Sequence, residues 1–164
     1  MGVVLARIDD RFIHGQVTVG WSQRLRPDRI VLCNDEIAAD PWQTRVYRSS
    51  VPPRIAVDIA SGAASAAVLA ALPPQERVIV LAGSPTDMYY LFAQGLPLKE
   101  VNVGGMHWTK GKQELLSYVY VDRTDLDVFR SFLAKGVRLS ARQVPGARET
   151  GIDLPMIVAL EERL

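Results

Sequence analysis

Ala6-Arg7-Ile8-Asp9-Asp10-Arg11-Phe12-Ile13-His14-Gly15-Gln16-Val17 is the stretch on which the fold turns. An apolar run, Val3-Val4-Leu5-Ala6, leads into it. Charged residues then crowd together, and after Gly15 the apolar positions Val17, Val19-Gly20-Trp21 and Leu25 recur at helical spacing. The stretch therefore reads as a strand, a short charged loop and a helix. His14 falls at the loop's end, near the helix N-terminus. There the first backbone N–H groups lack partners and the helix dipole favours an anion. A histidine so placed suits a nucleophile for a group that arrives and leaves as an anion, such as phosphoryl.

Strand-length apolar runs recur outward from this point: Val3 to Ile8, Arg29 to Cys33, Ile55 to Val57, Arg77 to Ala82, Val101 to Val103, Tyr118 to Val121 and Val137 to Ala141. Helical patterns lie between them. Ala60 to Leu72 is rich in alanine and leucine and stops at Pro73-Pro74. Ser84-Pro85-Thr86-Asp87 opens a helix that ends at Gly95, with Ser84 as cap. Thr124 with Asp127 opens another, ended by Gly136, and Asp153 to Leu164 forms a terminal helix. Continuous apolar strands alternating with helices predict an α/β fold: a three-layer α/β/α arrangement around an open, mostly parallel sheet of about seven strands. Ligands of such sheets bind beyond the carboxyl ends of the strands. That edge gathers the His14 loop, Asp35-Glu36, Ser84 to Asp87, and Asn102 to Lys112.

Composition narrows the classes. The 164 residues fit one domain, 1–164, with no internal repeat or linker. A net charge of +1 and scattered arginines give no field for nucleic acid. The lone Cys33 excludes an internal disulfide and reads as core. The N-terminal apolar run is too short for a signal peptide, and no stretch spans a bilayer.

The site candidates follow from chemistry. A histidine nucleophile needs a neutral, oriented imidazole, and Asp9, Asp10 or Asp35 are the carboxylates able to hold it. Arg11 is suited to meeting a phosphate through parallel hydrogen bonds. The bland alternative is a surface histidine beside a local salt bridge of little worth. Paired glycines in Asn102-Val103-Gly104-Gly105-Met106-His107-Trp108-Thr109-Lys110-Gly111-Lys112 would let backbone N–H groups approach an anion, or simply close a turn. This is not a P-loop. Five residues separate Gly105 from Gly111-Lys112, and Gln113 stands where Ser or Thr is required. His14 and His107 lack the spacing and carboxylates of a metal site. GxSxG and GxGxxG are both absent, so neither a serine hydrolase nor a nicotinamide cofactor is indicated. Trp21 and Trp42 read as packing residues, and Trp108 as exposed.

Arg7 to Val17 with Trp21 resembles the active-site signature of the IIB component of the mannose/fructose/sorbose class of the bacterial sugar phosphotransferase system. Asn34 to Asp40, Pro85-Thr86-Asp87, Asn102 to Met106, Gly111-Lys112 and Arg142-Gln143-Val144-Pro145 extend the resemblance, in the family's order, from Leu5 to about Leu154. The resemblance implies a cytoplasmic phosphocarrier, a protein-Nπ-phosphohistidine–sugar phosphotransferase. Its histidine, here His14, takes phosphoryl on Nδ1 from a IIA component and passes it to a sugar brought in by the membrane components IIC and IID. It implies peripheral association with the inner face of the membrane through IIC/IID, no metal or organic cofactor, and a homodimer among the family's assemblies. On this reading Arg11 meets the phosphate. Phe12, Ile13, Gly15 and Gln16 supply backbone N–H groups, and Phe12 and Ile13 dock IIA. Asp10 and Asp35 hold the loop, and Arg142 is a second basic contact. Because the group must leave again, few buried charged donors are expected around His14. An alternative is a regulatory IIB that relays phosphate without sugar transport. A third, weaker reading is a small nucleotide- or phosphate-binding α/β protein.

Overall fold

A computed structural model describes all 164 residues. The strands are β1 (Gly2–Asp9), β2 (Arg29–Cys33), β3 (Ala56–Ala60), β4 (Arg77–Ala82), β5 (Glu100–Gly105), β6 (Gln113–Leu116), β7 (Val119–Val121), β8 (Arg138–Ala141) and β9 (Thr150–Gly151). Seven of them form one sheet in the order β3-β2-β4-β1-β5-β8-β9, all pairs parallel except β8 with β9. The fold is thus α/β with a mostly parallel sheet, as expected. Its membership differs from the expectation in one place. Tyr118 to Val121 is not the sheet's sixth strand: β7 pairs antiparallel with β6 in a separate hairpin, linked to β5 by a bridge between Met106 and Val119. The two-residue β9 takes the seventh place.

The helices are α1 (Ser22–Leu25), α2 (Asp35–Ala39), α3 (Pro41–Ser49), α4 (Gly62–Ala71), α5 (Pro85–Ala93), α6 (Arg123–Ala134) and α7 (Leu154–Glu161), and a π-helical turn over Gln16–Trp21 runs into α1. Caps set several of these ends. Ser84 accepts from the N–H of Asp87 at the start of α5. At α6 the cap lies earlier than Thr124. Asp122 accepts from the Asp125 N–H while the Asp125 carboxylate accepts from the Asp122 N–H, a reciprocal capping box. Gly95 and Gly136, each at positive φ, end α5 and α6.

The two faces of the sheet are packed differently. On one, Ile8, Val80, Val101, Val103 and Leu139 meet Met88 and Leu91 of α5, Phe129 and Phe132 of α6 and Ile157 of α7. On the other, Ile30, Leu32, Ile79 and Leu81 meet Val17, Trp21 and Ile37. Each buried aliphatic or aromatic side chain contributes about 1.5–3 kcal/mol of transfer free energy. That second core does not extend across β5 and β8, where Arg7, Asn102 and Ser140 are buried instead. β1 lies between β4 and β5, so its carboxyl end, and the loop that follows, sits mid-edge between both halves of the sheet.

Candidate functional site

β1 delivers Arg7 and Asp9 to the same face, two residues apart, both fully buried. The chain then turns tightly. The Asp10 N–H donates to Gly105 O and the Phe12 N–H to Asp9 O. Phe12 adopts φ +61, a left-handed conformation that costs a non-glycine residue about 1–2 kcal/mol. Packing holds it there: its ring lies edge-on to Tyr47 and over Gly83, where a Cβ would come within 2.6 Å of it. Ile13 is buried in the second core and is an interior packing residue, not an exposed docking residue.

His14 follows, with its ring one-fifth exposed, and its Nε2 lies 2.9 Å from Asp9 Oδ2. Asp9, of the three carboxylates considered, is therefore the one that holds the ring. An Nε2–H donated to a carboxylate fixes the tautomer and leaves the Nδ1 lone pair free. Asp10 faces elsewhere: it accepts from the His107 N–H at 2.6 Å and pairs with His107 Nδ1 at 2.5 Å. Asp35 accepts from the Gly62 N–H at the start of α4. Neither holds the His14 loop nor Arg11.

Asp9 is the hub of a buried network. Arg7 donates to it through Nε and Nη2, and Arg11 through its backbone N–H, Nε and Nη2. Burial alone would push the Asp9 carboxyl up. Hydrogen bonds from His14 and Arg11 and the charge of Arg7 outweigh it and hold the carboxyl well below the usual carboxylate range. Burial likewise pulls the Arg7 guanidinium down, against the opposing pull of Asp9.

The arginines differ in what they have left to offer. Arg7 also donates to Asn102 Oδ1, Gln16 Oε1 and the carbonyls of Arg142 and Gln143, so its donors are spent inside the chain. The expectation of few buried charges near His14 fails in number, but this buried cation has no donor free for a phosphate. Arg11 reaches Gln16 Oε1 and Gly104 O through Nη2, while its Nη1 makes no hydrogen bond and its side chain is 29% exposed. Gln16 thus acts through its side-chain oxygen, shared by both arginines. The backbone N–H groups of Ile13, His14 and Gly15 have no acceptor within the chain, whereas that of Phe12 is already used. Gly15 is exposed, and a Cβ there would meet nothing within 4 Å, so the space beside the histidine is open.

The glycine-rich stretch has a different task from the one its composition suggests. Gly104 and Gly105 belong to β5. A Cβ on Gly104 would fall 1.9 Å from Arg7 Cζ, and one on Gly105 would fall 3.1 Å from Arg11 Nη2. They make room for the arginines. Lys112 is paired with Asp125 at 2.8 Å. Arg142 enters the site through its carbonyl, since its guanidinium lies over Trp21, donates to Pro145 O and faces Glu149. Trp21 is buried, donating to Gln143 O, and Trp108 is exposed, but Trp42, expected to pack, is 69% exposed on α3. Cys33 is core. No group of three or more potential metal ligands is present, and no helix is long and apolar enough to cross a membrane.

The sequence assigns no role to Arg7, offers Asp9 as one of three carboxylates for the ring, and gives Gln16 a backbone role where the structure uses its side-chain oxygen. A signal for Asp9 over Asp10 lies in the strand period: Arg7 and Asp9, two apart on β1, share one face, while Asp10 falls in the turn.

Comparison with known proteins agrees with this geometry. Residues 3–162 match the family described as the phosphotransferase system sorbose subfamily IIB component. The sorbose-specific EIIB component of Klebsiella pneumoniae is 38% identical over 88% of this chain and 88% of that protein. The fructose-specific EIIB component of Bacillus subtilis is 36% identical over 88% of this chain and 90% of its own length. The crystal structure of the IIBSor domain of the sorbose permease from Klebsiella pneumoniae superposes with a TM-score of 0.89 at 34% identity, covering 100% of this chain and 99% of that one.

Proposed function

This chain belongs to the sorbose-subfamily IIB components of the sugar phosphotransferase system, and from that premise we propose that His14 is the residue on which it carries phosphoryl. The single observation that carries the reading is the 2.9 Å contact of His14 Nε2 with buried Asp9, which leaves Nδ1 as the ring's nucleophile.

The Nδ1 lone pair attacks the phosphorus of a phosphohistidine on a IIA component. The N–P bond to the donor breaks as the bond to Nδ1 forms. The ring, carrying phosphoryl on Nδ1 and a proton on Nε2, bears positive charge, and the ionised Asp9 stabilises it without taking the proton. The unpartnered N–H groups of Ile13, His14 and Gly15 and the free Nη1 of Arg11 supply donors for the phosphoryl oxygens. In the second half, a sugar hydroxyl presented by the membrane components IIC and IID attacks phosphorus. The Nδ1–P bond breaks with its electron pair returning to Nδ1, the hydroxyl proton passes to water, and the ring returns to its neutral tautomer. In this reading the chain works at the inner membrane surface, and a homodimer is compatible with it.

The test is loading from phosphoenolpyruvate through Enzyme I, HPr and the cognate IIA. The wild type gains one acid-labile phosphate and His14→Ala gains none. Label that persists in the variant, or that never appears in the wild type, rejects the assignment.

A further inference from the structure

Where the second core stops short of β5 and β8, that face of the sheet carries a cavity of about 470 Å³. Leu5, Trp21, Leu25 and Leu98 give it an apolar lining, and Lys99 and Arg142 bring positive charge to it. The cavity is bordered by the opening residues of β1 and by the residues just before β5, so it reaches toward the amino edge of the sheet. The His14 loop leaves the opposite, carboxyl edge. No lining residue takes part in the phosphoryl transfer described above.

The charges around it leave a positive surplus. Glu100, in the lining, accepts from Arg138 at 2.6 Å and from the Ser140 hydroxyl at 2.7 Å, and Glu149 accepts from the same Arg138 at 2.8 Å. Both carboxylates are thus engaged by one arginine. Lys99 is exposed, and its ammonium makes no ion pair within the chain. Arg142 spends Nη1 on Pro145 O, its Nη2 stands 3.7 Å from Glu149, beyond hydrogen-bonding distance, and its buried Nε–H has no acceptor. The guanidinium is held over the Trp21 ring, 5.2 Å from its centroid. Two cations with donors to spare, beside leucines and an indole, select a ligand that has one acid group and an apolar body. A bare inorganic anion would leave the apolar lining wet, and a neutral apolar molecule would leave the cations unpaired. The volume falls within the ~300–1,000 Å³ of small-molecule sites. A smaller cavity of about 230 Å³ between α4 and α5 has no charged side chain in its lining and serves as the internal comparison.

We propose that this cavity binds a small organic monoanion, its acid group met by Arg142 and Lys99 and its apolar body lying against Leu5, Trp21, Leu25 and Leu98. The inference goes beyond the phosphocarrier reading and does not depend on it. The lining is held from behind. The Arg142 carbonyl accepts from Arg7, and the Gln143 carbonyl accepts from both Arg7 and the Trp21 indole. A site fixed in this way spends little free energy on ordering its own side chains when a ligand enters.

The experiment titrates the full, unphosphorylated chain with anilinonaphthalene sulfonate, a fluorescent probe that joins one sulfonate to an aromatic body. Its emission should rise saturably, with a dissociation constant on the order of 10–100 μM. Amide resonances of Leu5, Leu98 and Lys99 should move with the titration, and those of Leu69 and Ala70 at the smaller cavity should not. Lys99→Gln, a change at an exposed position, should weaken binding about threefold, and Arg142→Gln about tenfold, with Arg142→Lys recovering part of the loss. Chemical-shift dispersion confirms that the variants are folded. Octanoate should displace the probe, whereas octanol and inorganic phosphate at the same concentration should not. The proposal is overturned if binding does not saturate, if the shifts fall at the smaller cavity instead, if both Gln variants bind as tightly as the wild type, or if octanol or phosphate displaces the probe as well as octanoate does. Binding is read without loading His14, so either claim can fail while the other stands.

Discussion

The carboxylate of Asp9 and the imidazole of His14 form a 2.9 Å contact between Oδ2 and Nε2 in which the acid is fully buried and the ring's other nitrogen is left for chemistry. One residue thus does two jobs. Asp9 neutralises two arginines, one of them wholly buried, and it selects the histidine tautomer. Coupling between stability and reactivity follows.

Asp9→Asn keeps the size of the side chain and removes its charge. Arg7 then becomes a buried cation without a counter-charge, and breaking such a pair costs about 3–5 kcal/mol. The urea midpoint should fall accordingly. Phosphate loading measured on the folded fraction should drop roughly a hundredfold as the ring loses its fixed tautomer.

The same substitution should alter acid sensitivity. The folded-state pKa of Asp9 is depressed, so its contribution is fully present above the unfolded value of about 4 and is lost as pH falls below it toward the folded value. The wild type should therefore lose stability more steeply than Asp9→Asn on acidification below about pH 4. Parallel slopes in pH-dependent urea titrations would contradict this.

Gly104 and Gly146 make a matched pair. A methyl at Gly104 would collide with the Arg7 guanidinium, which is locked by its own hydrogen bonds, whereas one at Gly146 meets nothing within 4 Å. Gly104→Ala should destabilise by about 1–3 kcal/mol or more. Gly146→Ala should stay within about 0.5 kcal/mol of the wild type. Thermal melts of the two variants side by side decide it.

Asp10→Ala separates the two neighbouring acids. Asp10 serves His107 rather than His14. Loading of His14 should stay within about threefold of the wild type, since the change removes only the contacts of Asp10 with the His107 backbone N–H and ring. The His107 ring resonances should shift while those of His14 do not.

The sheet was readable because its strands are continuous apolar runs, and a parallel sheet covered on both faces demands them. The ends of α5 were readable because Ser84 and Gly95 carry their own local chemistry. What escaped the sequence is not always distant. Tyr118 to Val121 has strand character and pairs with its immediate neighbour Gln113–Leu116, but the Ser117-Tyr118 link carries no glycine or asparagine to mark a hairpin turn. α3 buries none of its residues, and its apolar Trp42 and Val46 face solvent, so no core-facing contact marks it. At the site, His14 and Arg11 stood out by residue type. The roles of Gly104 and Gly105 did not, because clearance for a buried arginine reads in sequence like flexibility for an anion.

The most direct test of the central claim is the position of the phosphoryl group. Long-range proton–nitrogen correlation spectra of the protein, loaded from phosphoenolpyruvate and labelled with nitrogen-15, distinguish the two ring nitrogens of each histidine. A single phosphohistidine at His14, bonded through Nδ1 with the Nε2 proton retained, is the predicted result. Phosphoryl on Nε2 of His14, or on His107, would contradict it.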